Sequence, residues 1–97
     1  MKKTDEKNVR TLARALVSLE SEDECVRLLS DLCTVSEIKA MAQRLEVAIM
    51  LDRGMVYNDI AAKTGASTAT ISRVNHALVY GEDGYRSILD KLGDEDK

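Results

Sequence analysis

The chain has 97 residues with no Pro, Phe or Trp, and 14 basic against 17 acidic groups leave a formal net charge of −3. That length suits one domain, and with aromatics at 3% its modest core must be aliphatic. The negative charge argues against a general polyanion binder, and no apolar run reaches the roughly 18 residues that suggest a membrane span.

Residues 1–5 are polar and are expected to form a flexible tail. Val9, Leu12, Ala13, Leu16 and Val17 then recur at helical spacing, a single apolar stripe flanked by Arg10, Arg14 and Glu20. Ser21 to Glu24 reads as a capping box, in which the serine hydroxyl accepts a terminal N–H and the glutamate reaches back. The helix that follows carries Val26, Leu28, Leu29 and Leu32. Cys25 and Cys33 lie on these apolar stretches without a second Cys or His pair, so buried free thiols in a reducing cytosol are expected, with no metal and no cofactor. No charged and then apolar leader opens the chain, which points to the cytoplasm.

Thr34 to Glu37 is a second capping box and starts the longest helix, expected from Val35 to about Arg53 with Gly54 just past its end. Its apolar residues overflow one face. Ile38, Met41, Leu45, Ala48 and Ile49 form a stripe, and Val47, Met50 and Leu51 widen it into an unbroken run. Such a helix must be covered on most sides, and in so short a chain a second subunit is the simplest cover, with a single-chain bundle as the alternative.

Tyr57–Thr64 should form a short helix, Gly65 and Ala66 a turn, and Ser67 the cap of a helix from Thr68 to about Tyr80. Ile60 and Ala61 supply the inner face of the first helix, Gly65 can reverse the chain with a positive φ, and Ile71 and Val74 face back into the same small core. This is the spacing of a helix-turn-helix between about 57 and 78. The second helix presents Ser67, Thr68, Ala69, Thr70, Ser72 and Arg73, short groups able to enter a major groove, while Asn58 and Lys63 are candidates on the first. Residues 57–80 carry two basic groups against one acidic group, whereas residues 81–97 carry three against six. N-terminal capping is the other reading of Asn58, and a solvated lysine that of Lys63. His76 alone cannot make a metal site or a triad and should lie at the surface. Tyr57, Tyr80 and Tyr85 are expected to cover the core. Tyr85–Leu92 should be a last helix with Ile88, Leu89 and Leu92 inward, followed by a flexible acidic tail at 93–97.

The chain resembles the tryptophan repressor superfamily, in particular its YerC/YecD-like branch. The resemblance runs from about Thr11 to Leu92 and is carried by Leu32-Cys-Thr-Val-Ser-Glu37, by Ala40-Met-Ala-Gln-Arg44 with the apolar helix after it, and by Gly65-Ala-Ser-Thr-Ala-Thr-Ile-Ser-Arg73. It implies an all-α fold of six helices in an intertwined homodimer that represses transcription by placing paired reading helices in successive major grooves of double-stranded DNA. The operator would then be pseudo-palindromic, with half-sites about 34–36 Å apart.

The family's effector site carries over to Thr34, Arg44 and Arg73, two guanidinium planes that can sandwich a flat ligand and a hydroxyl that can orient it. Val74 stands where the family has a glycine beside the ligand, and Ala77 where it has a serine for the ligand's amino group. These departures argue against tryptophan itself and leave open another effector, or none. For Arg44 the competing role is an ion pair with Glu46 or with a carboxylate of a partner chain. No constellation of catalytic groups is present. The competing function is a dimeric helical adaptor that docks protein rather than DNA.

Overall fold

The computed structural model describes residues 3–95, and side chains from Asp5 to Gly93. Six helices follow one another without a strand among these residues: α1 Lys3–Val17, α2 Glu22–Leu32, α3 Val35–Asp52, α4 Tyr57–Thr64, α5 Thr68–Tyr80 and α6 Gly84–Glu95. The all-α expectation therefore holds. The chain divides into two compact units, residues 1–38 and 39–97, with α3 running through the boundary.

In the first unit the helix starts obey local chemistry. At α2 the Ser21 hydroxyl accepts the Glu24 N–H at 3.1 Å, and the Glu24 carboxylate takes the N–H of Glu20 at 3.3 Å, one residue further back than a standard box. At α3 the box is fully reciprocal. Glu37 N–H donates to the Thr34 hydroxyl at 3.1 Å, and Thr34 N–H donates to the Glu37 carboxylate at 2.8 Å. Most apolar side chains of α1 and α2 are exposed, with Ala13, Leu28 and Leu29 half-buried: no described residue before Lys39 is buried, and Val17 is 84% exposed. Cys25 and Cys33 are free but only half-buried, a correction to the expected buried thiols, because nothing in the unit closes over them.

The second unit holds the core. Val47, Ala48, Ile60, Ala66, Ile71, Val74 and Leu89 are buried, with Ile49, Met50, Leu51, Met55, Tyr57, Ala61, Leu78 and Tyr85 packed around them. The apolar run at the end of α3 thus finds much of its cover within its own chain, from the helices that follow it. A second subunit is not needed for that stretch; the uncovered apolar surface instead includes Val35 and Met41 at the start of α3, besides α1 and α2. Helix α3 ends in a Schellman motif. Gly54 is left-handed at φ 79°, its N–H donates to Leu51 O at 3.0 Å, and Met55 N–H donates to Met50 O at 3.1 Å.

The ends of the chain are more helical than their composition suggests. Helix α1 already includes Lys3–Asp5, with Asp5 and Glu6 in a first turn where the helix dipole favours carboxylates. Helix α6 continues through Gly93 to Glu95, since no proline or reversing residue stops it. Residues 1–2 and 96–97, the rest of the expected tails, lie outside the described residues. Within α6, Leu89 is buried and Leu92 half-buried, but Ile88 is exposed, contrary to expectation, because the helix rests on the core along a narrower stripe than its three aliphatic residues span. Tyr80 likewise departs from its expected covering role. It is 74% exposed, and its ring lies 5.0 Å from that of His76, itself at the surface as expected.

Candidate nucleic-acid interface

Helix α4 begins after Val56, which makes no side-chain cap bond, so Asn58 lies inside the first turn and is exposed rather than a cap. The helix ends at Gly65, left-handed at φ 75°, whose N–H donates to Ala61 O at 2.9 Å. A Cβ on Gly65 would meet nothing within 4 Å, so glycine is favoured there by backbone conformation and not by space. Thr64 completes the turn with both faces of its hydroxyl. It donates to Ile60 O at 2.8 Å and accepts the N–H of the buried Ala66 at 3.1 Å.

Ser67 then caps α5. Its hydroxyl oxygen accepts Thr70 N–H at 3.1 Å and its proton goes to the Thr70 hydroxyl at 3.0 Å. The expected division of α5 into two faces is present: Ile71 and Val74 are buried, while Ser67, Thr68, Ala69, Ser72 and Arg73 are exposed. Thr70 differs from these. It is half-buried, and its hydroxyl accepts from Ser67, which holds it in one orientation at the start of the helix. Lys63 is exposed on the last turn of α4. Among the described residues no carboxylate pairs with Lys63, Arg73 or Arg44; the ion pairs join Arg86 to Asp52 at 2.8 Å and to Asp90 at 3.6 Å. The expected alternative of an Arg44–Glu46 pair is therefore not formed. Two free cations and short hydroxyl side chains can approach phosphates and base edges without first breaking an internal salt bridge.

The three candidate effector residues are placed differently. Arg44 and Arg73 both belong to the second unit and are exposed, whereas Thr34 belongs to the first, where its hydroxyl accepts the Glu37 N–H. The Thr34 N–H, which donates to the Glu37 carboxylate, and then the Thr34 side chain hold that carboxyl below its ordinary pKa. Val74 is 2% exposed and forms part of the core, and Ala77 is half-buried. No group of three or more metal-ligating side chains lies together among the described residues, and no described helix is long and apolar enough to cross a membrane.

The Trp repressor protein family model matches residues 7–93, almost the whole chain. The chain belongs to the Trp repressor family. Within it the place is the YerC-like branch: a protein called YerC in Bacillus subtilis (strain 168), itself uncharacterized, is 50% identical over 86 residues, covering 89% of this chain and 83% of the relative. Solved Trp repressor-like structures agree. A TrpR-like protein from Eubacterium eligens ATCC 27750 superposes with a TM-score of 0.86 at 50% identity, covering 90% of each chain. A candidate Trp repressor from Staphylococcus aureus gives 0.86 at 41% identity, covering 96% of each. The six-helix order is thus the Trp repressor-like fold, in which α4 and α5 are joined by the Gly65 turn.

Two residues that position this hairpin escaped the sequence reading. Thr64 precedes the turn glycine and could have been read as a hydroxyl able to bond back to the helix four residues earlier. Gln43 donates from α3 to Thr64 O at 3.2 Å, a contact over 21 positions that no local pattern announces.

Proposed function

We propose that this protein is a sequence-specific DNA-binding transcription regulator, acting as a repressor in the cytoplasm, and that it reads a pseudo-palindromic operator as a homodimer. The observation that carries the reading is the two-sided α5: Ile71 and Val74 seal one side, and the other presents Thr68, Ala69, Ser72 and Arg73 to solvent directly after a capped, glycine-reversed turn. Membership of a family of regulators supports it. The homodimer is supported by Leu12, Leu16, Val26, Leu32, Val35 and Met41 on α1, α2 and the start of α3, which their own chain leaves exposed. Two copies packed through them form one Trp repressor-like domain pair. Asn58, Lys63 and Arg73 are assigned to phosphates or base edges, and the Ser67–Thr70 pair to the groove at the helix start.

Binding does not use tryptophan as its trigger. Val74, the residue that would face the indole, is committed to the core, and Ala77 offers no hydroxyl for an amino group. Thr34, Arg44 and Arg73 remain the residues for any other effector.

Selection of duplexes from a random pool at low salt tests the reading. The native chain should enrich a two-fold symmetric sequence, and its affinity should fall steeply as salt rises. Arg73→Ala should weaken the selected site by about 1–3 kcal/mol if the guanidinium reads a base, or lower the salt slope by about one if it holds a phosphate. Helicity and association state should not change. Failure to enrich any duplex would sink the reading and leave the protein-docking adaptor in its place.

A further inference from the structure

Among the described residues two side-chain contacts reach beyond four positions: the Arg86–Asp52 ion pair at 2.8 Å, and the bond from Gln43 Nε2 to Thr64 O, 3.2 Å, across 21 positions. Thr64 is the last residue of α4, and its carbonyl is among those that a helix cannot satisfy itself. Gln43, half-buried on α3, supplies the missing donor. The same threonine binds Ile60 O behind it and the N–H of Ala66 ahead of it, and Ala66 adjoins the Ser67 cap of α5. Thr64 is therefore tied through its carbonyl to α3 and through its hydroxyl to Ala66, the residue before the Ser67 cap of α5.

We propose that Gln43 is a positioning residue for DNA reading, which fixes the direction of α5 against α3 by capping Thr64. The remaining contacts of the hairpin with α3 are apolar, through Val47, Ala48, Ile60, Ile71 and Val74. Apolar contact holds helices together but has little directional preference, whereas an amide-to-carbonyl bond weakens steeply once misaligned. Side chains that must meet base edges in a groove need that direction held. Glutamine suits the place because it is neutral, long enough to reach Thr64 and able to donate. Methionine matches its length without a donor, and glutamate at neutral pH would set a carboxylate against a carbonyl.

The inference rests on the DNA-reading function, so the test has one arm that does not involve DNA. In Gln43→Met and Gln43→Glu, the hydrogen-bonded amides of Gly65 and Ala66 should exchange with solvent about fivefold faster, the effect of one lost neutral hydrogen bond, while those of Val47 and Ala48 keep native rates. Affinity for the selected duplex should fall by a similar factor, with affinity for unselected duplex unchanged. Native exchange at Gly65 and Ala66 in both variants overturns the proposal, whatever happens with DNA. So does equal weakening on selected and unselected duplex, which marks a general loss of fold. If the native chain enriches no duplex, the reading function itself falls, and the exchange arm still decides whether Gln43 holds the turn.

Discussion

Between Lys39 and Gly93 seven apolar side chains are withdrawn from solvent, whereas between Asp5 and Ile38 none is, although α1 and α2 carry apolar stripes as regular as any in the chain. The difference lies in chain reversal. In the second unit, left-handed glycines at 54 and 65 turn the backbone sharply enough for α4 and α5 to fold back on the end of α3. In the first unit, the helix boundaries are set by polar caps at Ser21 and Thr34, which end and start helices without forcing their apolar faces together. A regular stripe is thus a statement that a helix seeks cover, and does not say that its own chain supplies it. The α4–α5 hairpin, proposed to read DNA, is built on the self-covered part, and the part left open is where a second copy is proposed to pack.

The largest expected effect breaks that contrast from the open side. In Leu12→Ser with Leu16→Ser, a homodimer loses four apolar side chains, each contributing about 1.5–3 kcal/mol when fully buried. Both are about two-fifths exposed in the single chain, at 41% and 40%, so part of that contribution awaits a partner. Sedimentation should show the variant monomeric at concentrations where the native chain is dimeric, and its melting temperature should no longer rise with concentration. A dimer of native affinity would mean that the α1 stripe does not belong to the interface.

The same contrast predicts a different outcome in the second unit. Ile60 is fully buried among residues of its own chain, so Ile60→Ala should destabilise by about 2–5 kcal/mol through lost transfer energy and the cavity left behind. Because those partners are internal, the loss per chain should appear in denaturant unfolding whether or not the subunits are associated. A cost well under 1 kcal/mol would show that the small core is looser than its burial indicates.

What could be read from the residues follows from how far each interaction reaches. Caps at Ser21, Thr34 and Ser67, the reversals at Gly54 and Gly65, and the two faces of α5 depend on neighbours within a turn or two, and each is legible in the sequence. The resemblance extended this to the six-helix fold. Side-chain destinations that depend on distant packing were not legible: Ile88 and Tyr80 face outward, and the Val47–Leu51 run is served largely by α4 to α6. The Gln43–Thr64 and Arg86–Asp52 contacts are of the same kind, since in each a residue meets one brought near only by the fold. The effector triad sits between these extremes. Its residues can be placed by motif, but Thr34 already serves a helix cap, which the sequence announces and the hydrogen bonds to Glu37 bear out.

The smallest expected effect concerns that cap. Thr34→Ala should cost about 0.5–2 kcal/mol, the usual range for an N-cap, and should shorten α3 at its start. The Glu37 half of the box is sensitive to pH. Its pKa is lowered in the folded chain, first by the bond from the Thr34 N–H and then by the Thr34 side chain, with a small opposing effect of burial. A depressed carboxyl pKa means that the unfolded chain takes up its proton first as pH falls. The contribution is therefore complete above the ordinary glutamate value of about 4.3 and fades below it, as pH drops through the lowered folded value. Glu37→Gln should retain a weaker box at every pH, so the native and variant unfolding midpoints should differ at pH 7 and converge below pH of about 4. A gap that persists undiminished into acid would show that the carboxylate charge is not what strengthens the start of α3. Since α1 and α2 contain no buried residue, a cap that orders the entry to α3 acts where packing within the chain is weakest.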